Sequence, residues 1–145
     1  MPEKPAAPAE PAAPAGRLLA VAHGIDLVHC PRIVRVYEQH GERFLERVYT
    51  AAERAYCLDA RDPIPRLAGR FAAKEAVMKM LGTGWRGGVD FTDIETLPDP
   101  AGRPLVTLRG VSAGLARTLG ITQVLLSISH SGEYAVASAI GLGRG

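Results

Sequence analysis

Cysteine is scarce. Cys30 and Cys57 are the only two in 145 residues, too few for a disulfide scaffold and at no metal-ligand spacing, which fits a reducing compartment and an expected cytoplasmic location. Long apolar runs are missing too. The stretches near Val124 and Tyr134 are broken by Ser, Gly and Glu before the roughly 18 residues a spanning helix needs, so no membrane segment is expected. The opening MPEKPAAPAEPAAPAG holds Glu3, Glu10 and five prolines where a secretory leader would carry an apolar core, so no such leader is expected. An excess of charge is lacking as well: a net +2 is too small to argue for a nucleic-acid partner. What remains is ordinary for one globular domain, with 47% hydrophobic and 22% charged residues in a chain long enough for a single core.

Prolines at 2, 5, 8, 11 and 14 repeat every third residue among alanines, the period of polyproline II, and residues 1–16 are expected to form a disordered tail before a domain over 17–145. Within that domain, LLAVAHGIDLV predicts a strand over about 18–28, with Ile25 and Leu27 on one side and Gly24 and Asp26 on the other. Pro31 suits a first helical position, and RIVRVYEQH then supplies a short helix. GERFLERVY predicts a second helix, and Thr50 with Glu53 forms a capping box ahead of a third, AAERAYCL. RLAGRFAAKEAVMKML is the longest helix, ended at Gly82. FTDIETL and PLVTLRG read as strands around the turn DPAGR, with a helix near 111–119 after them. VLLSISHSGEYAVASAI closes the chain as two strands joined at Ser131-Gly132-Glu133. Helices early and strands late indicate an α+β fold with helices packed on a mainly antiparallel sheet.

The long helix is the segment richest in chemistry. Ala72, Ala73, Ala76, Val77 and Met80 form a small-residue packing arc, while Arg70 and Lys74, then Glu75 and Lys79, make two charged ridges. A solvated face with a Glu75–Lys79 pair is the bland account. Against it stands the usage of basic residues: of 17, only three are lysines, Lys4 in the tail and Lys74 and Lys79 around one carboxylate. A compact ammonium suits a phosphate or a nucleophile's proton. Asp26 is a turn or cap residue unless something pairs with it, and with Glu75 it would make a hard two-carboxylate site of the kind Mg²⁺ takes. His130, among Ser127, Ser129 and Ser131, is either a satisfied structural histidine or a ligand. GTGWRGG follows a helix rather than opening one, so it is a cap and loop before it is a phosphate cradle, with Arg86 available to an anion.

Four ordered blocks, GIDLVHCPRI, RFAAKEAVMKMLGTGWRGG, DPAGRPLVTLRG and SISHSGEYAVASAI, resemble the holo-acyl-carrier-protein synthase family of 4′-phosphopantetheinyl transferases across nearly the whole folded part. The resemblance implies that family's fold and the transfer of phosphopantetheine from coenzyme A to a serine of an acyl carrier protein, with adenosine 3′,5′-bisphosphate released. It implies metal carboxylates at Asp26 and Glu75, Mg²⁺ with Mn²⁺ as a substitute, and a catalytic role for Lys79. Arg70, Lys74, Lys79, Gly82, Gly84 and His130 would line the coenzyme A site. Arg32, with Arg35 on the same helix, would meet the acidic carrier, and the assembly would be a homotrimer with sites between subunits. His29 departs from the pattern, standing where the family has an acid. If its ring turns back toward the carboxylates, it weakens Mg²⁺ relative to Mn²⁺. Two other readings use the same residues: a carrier-binding homologue without turnover, and a metal-dependent phosphohydrolase acting on water.

Overall fold

The structure, a computed structural model, describes residues 16–83 and 87–144. The expected tail therefore lies, except for Gly16, outside the described residues. Strand β1 (Leu18–His29) leads into helices α1 (Cys30–His40), α2 (Glu42–Val48), α3 (Ala51–Leu58) and the long α4 (Ile64–Met80). A 3₁₀ turn over Phe91–Asp93 precedes β2 (Ile94–Pro98) and β3 (Pro104–Leu108), followed by α5 (Gly110–Thr118), β4 (Ile121–Ser131) and β5 (Tyr134–Arg144). β1, β5 and β4 form one antiparallel sheet in that order, and β2 and β3 form a separate hairpin. The α+β expectation holds.

Local chemistry explains most boundaries. Pro31 occupies the first turn of α1, where its missing N–H costs nothing. Thr50 and Glu53 do exchange backbone bonds as a capping box at α3. The β2–β3 turn is closed by Asp99, whose carboxylate accepts the Ala101 and Arg103 amides at 2.8 Å each. Three differences stand out. α4 begins at Ile64, before the expected Arg66, and Phe91–Asp93 form a 3₁₀ turn where the alternation suggested strand. The closing strands also extend to Ile121 and Arg144, beyond the expected 124–140.

The core lies between α4 and the inner sheet face. Ala72, Ala73, Ala76 and Val77 are fully buried, against Ala135, Ala137 and Ala139 of β5. Small side chains on both surfaces allow unusually close approach. At Gly24 the approach is so tight that a Cβ would lie 2.6 Å from the Met80 amide nitrogen and overlap the Ala76 carbonyl. At the helix's other end, a Cβ on Gly69 would lie 2.9 Å from the His130 ring. α4 thus crosses the sheet from β4 to β1.

The remaining face of α4 meets α3 and β2 through a buried ion pair. Lys74 Nζ donates to Glu53 Oε1 at 2.7 Å, to the Phe91 carbonyl at 2.8 Å and to the Ile94 carbonyl. Glu53 in turn accepts the Thr96 amide at 3.0 Å, so both charges are hydrogen-bonded rather than stranded. Gly24→Ala should shift α4 off the sheet and lower stability by about 3 kcal/mol, the upper end of overpacking costs, measured by urea unfolding.

Candidate active site

Two clusters flank α4. At about 100° per residue, Arg66 and Arg70 fall on one flank of the sheet-facing stripe and Glu75 and Lys79 on the other.

The carboxylate flank is assembled by the end of β1. The alternation puts Asp26 on the inner face with Gly24 and Val28, next to α4. Lys79 Nζ donates to Asp26 Oδ1 and to the Ile25 carbonyl, each at 3.0 Å. Lys79 is thus paired across elements with Asp26 rather than with Glu75, the i, i+4 partner of the bland account. Burial and the neighbouring Asp26 carboxylate push the Glu75 carboxyl above its ordinary value, opposed by Lys79 and Arg32. Asp26, Glu75, Lys79 and Arg32 therefore share one electrostatic neighbourhood, as the sequence suggested for the first three. Glu75 also lines an open groove of about 330 Å³ with Arg32, Arg47, Phe71, Val89, Asp90 and Phe91.

The arginine flank is cationic, with no salt-bridge partner for Arg66 or Arg70 among the described residues. The guanidinium of Arg70, 6% exposed, lies 4.3 Å from the centroid of the Tyr56 ring, and its buried Nε has no hydrogen-bond partner among the described residues. Arg66 stacks on the same ring at 4.2 Å and donates to the Tyr56 carbonyl at 2.7 Å. His130 Nε2 donates to the Pro65 carbonyl at 2.6 Å, over the helix's first turns, where Gly69 leaves it room. A buried guanidinium stacked on a ring, with its Nε unpartnered among the described residues, is suited to an anion.

Several expectations need correction. Lys74 does not reach the coenzyme A flank: it is fully buried and its three donors are taken, so it anchors the core. Burial pulls its ammonium below the usual lysine value while Glu53 opposes this. Arg32 and Arg35, neighbours at i and i+3 on α1, open onto different depressions. Arg32 lines the Glu75 groove, whereas Arg35 lines a separate cleft with Cys30, Asp62 and Glu133. His29 turns away from the carboxylates. Its Nε2 lies 3.4 Å from Glu133 and its ring 5.1 Å from that of Tyr134. Gly82, with φ 77°, ends α4 as a left-handed residue; Gly84 and Arg86 lie outside the described residues.

The sequence reading missed Arg66, Tyr56 and Arg47. Arg66 stands four residues before Arg70, a spacing that puts both on one helix face, and this was the available signal. Tyr56 and Arg47 reach their clusters only through tertiary packing.

The profile of the 4′-phosphopantetheinyl transferase superfamily matches residues 22–139. A holo-[acyl-carrier-protein] synthase of Koribacter versatilis is 49% identical over 117 residues, covering 81% of this chain and 94% of the relative. The chain belongs to the holo-[acyl-carrier-protein] synthases of that superfamily. Among solved structures, the synthase from Neisseria meningitidis superposes with a TM-score of 0.77 at 34% identity, covering 85% of this chain and 98% of that one. The Helicobacter pylori synthase in complex with coenzyme A gives 0.72 at 33% identity, covering 82% and 98%.

In this synthase the Glu75 carboxylate is held where its charge is disfavoured. Its raised value means that the protonated form stabilises the fold below the ordinary carboxylate range, and that this contribution is lost as pH rises through the raised value. Glu75→Gln should therefore melt higher than the wild type in chelator at neutral pH, with the gap closing toward pH 4, measured by calorimetry.

Proposed function

We propose that transfer takes place at the Asp26–Glu75–Lys79 flank of α4, and that the Arg70–His130 flank of a neighbouring subunit holds the donor's other end. The synthase transfers 4′-phosphopantetheine from coenzyme A to a serine of an apo acyl carrier protein, leaving adenosine 3′,5′-bisphosphate. One observation carries the site reading: two carboxylates and one ammonium, from β1 and α4, converge beside an open groove.

The donor set fits Mg²⁺, or Mn²⁺ in its place. Among the described residues no group of three or more His, Cys, Asp or Glu side chains comes together, so Asp26 and Glu75 would leave further octahedral positions to phosphate oxygens and water. When bound, the ion supplies neutralisation of the pyrophosphate's negative charge. Lys79 spends two N–H groups on Asp26 and the Ile25 carbonyl and keeps a third for a phosphate oxygen. The serine Oγ forms the new P–O bond as the bond to the adenosine bisphosphate breaks. Its proton passes to water held against a carboxylate, with His130 facing the opposite flank and Lys74 sealed in the core.

Docking of the carrier is assigned to the groove mouth. Arg32 and Arg47 line it, and Arg47 continues into a cleft of about 410 Å³ with Val36, His40, Arg43 and Phe44. Basic groups around an apolar floor suit an acidic, amphipathic partner. Arg35, one helical turn from Arg32 on α1, lines the neighbouring cleft with Asp62 and Glu133 and would extend the basic surface offered to the carrier.

The homotrimer reading has two supports. Arg70 and Glu75 lie on opposite flanks of a helix roughly 10 Å across, so one donor spanning both sets calls for two subunits. In addition, the sheet face away from α4 is apolar and uncovered, with Ile25 54%, Leu27 62% and Leu125 46% exposed. No described helix is long and apolar enough to cross a membrane, in keeping with a cytoplasmic assembly. The non-catalytic alternative is disfavoured by the presence of the carboxylate pair.

With coenzyme A and Mg²⁺, the wild type should add one phosphopantetheine mass to an apo carrier. Asp26→Asn and Glu75→Gln should each slow that reaction at least about a hundredfold, followed by intact mass spectrometry. Arg70→Ala and Glu75→Gln subunits, each nearly inactive alone, should regain activity when coexpressed, because a mixed assembly contains some sites with both wild-type halves. Failure of such mixtures to recover, despite mixed oligomers by native mass spectrometry, would place the whole site in one chain.

A further inference from the structure

We propose that Lys74 is a positioning residue for the transfer: by tying the Phe91 and Ile94 carbonyls to α4 it sets the width of the groove beside Glu75, and with it the fit of the carrier's serine to the carboxylate flank. This deepens, and rests on, the reading that the Glu75 groove receives the carrier.

Lys74 and Glu75 are consecutive on α4, about 100° apart around the helix. Glu75 and Phe71 form one wall of the groove, and Val89, Asp90 and Phe91 form another. Lys74 reaches the backbone of that second wall from behind. Its Nζ donates to the carbonyl of Phe91, the first residue of the 3₁₀ turn, at 2.8 Å, and to the carbonyl of Ile94, which caps the turn. Both ends of the turn are therefore held by one side chain, which leaves the helix one position before the carboxylate. The rings of Phe71 and Phe91 stack with centroids 5.6 Å apart and planes 25° apart, so the spacing between helix and turn is also the spacing of two aromatic surfaces that line the groove.

The ammonium is itself backed. Glu53 holds it at 2.7 Å and accepts the Thr50 and Thr96 amides, each at 3.0 Å, so α3 and β2 brace the bridge. The far side of the turn is held independently, the Asp93 carbonyl accepting the Arg109 amide at 2.8 Å and the Ser112 hydroxyl at 3.2 Å. Of these hydrogen bonds only those of Lys74 reach α4. Without them the turn stays attached to β3 and α5 and is free to shift against the helix that carries Glu75. A misplacement of about 1 Å at a reacting centre can cost about a hundredfold in rate, so a side chain that never touches substrate can still govern transfer.

Three variants separate bridging from stability. Glu53→Gln keeps both carbonyl bonds of Lys74 but strands its ammonium, so it should unfold at lower urea than the wild type while modifying the carrier with a near wild-type kcat/KM. Lys74→Met/Glu53→Gln removes both buried charges together with the bridge. It should be more stable than Glu53→Gln, yet its kcat/KM for the carrier should fall about tenfold, through a raised KM. Its affinity for adenosine 3′,5′-bisphosphate, a ligand of the opposite flank, should stay unchanged by calorimetry. Lys74→Arg, which returns charge and donors on a bulkier side chain, should recover part of the carrier kcat/KM. Amide hydrogen exchange followed by mass spectrometry reads the wall itself, and over residues 89–94 it should be faster in the double variant than in Glu53→Gln. Unchanged exchange would overturn the proposal, as would an equal loss of carrier and nucleotide binding; if the double variant does not fold, Lys74→Arg against the wild type carries the same comparison. Faster exchange with carrier kinetics intact would show that Lys74 holds the wall but that the carrier binds elsewhere, which overturns the groove reading and the proposal with it.

Discussion

The contact between α4 and the sheet governs this molecule. Gly24 lets β1 press against the Ala76–Met80 backbone, and Gly69 lets His130 lie over the helix's first turns. Alanines fill the space between. Because the two surfaces meet at backbone distance, the helix can neither rotate nor slide without overlap. Its two flanks are thereby fixed relative to the strand ends, which brings Asp26 to Lys79 and His130 to Pro65. Chemistry that needs placement more than covalent participation is served by a rigid central rod of this kind.

The charges on that rod divide by compensation. Lys74 is sealed against Glu53, two carbonyls and nothing else, a closed set that ties α3, α4 and β2 together. Arg70 is nearly as buried but open-ended, with a ring in place of an anion. Burial alone does not distinguish a structural ion from a binding group; the state of its hydrogen bonds does.

Much of this was legible in order along the chain. The capping box at Thr50, the alanine arc of α4, the turn at Asp99 and the antiparallel closing strands follow from patterns within a few residues. The residues alone leave Asp26 a turn or cap residue, and its link to Glu75 and Lys79 comes from the family resemblance, because β1 and α4 meet only through tertiary packing. The fate of Lys74 was not legible, since its counterion lies 21 positions away on another helix. A charged residue at that spacing reads as surface until a partner's location is known. Similarly, Ile25 and Leu27 read as half of an amphipathic strand. The glycine and aspartate side faces the helix and the aliphatic side faces out, an inversion of the ordinary assignment that comes from packing α4 against glycine and alanine.

The division of the two folded lysines has a consequence for chemical labelling. Lys74 is inaccessible, whereas the Lys79 side chain is 54% exposed. An amine-directed acylating reagent thus meets one reachable ε-amino group among the described residues, at the reacting flank itself. The yield of that adduct reports how many centres are unliganded.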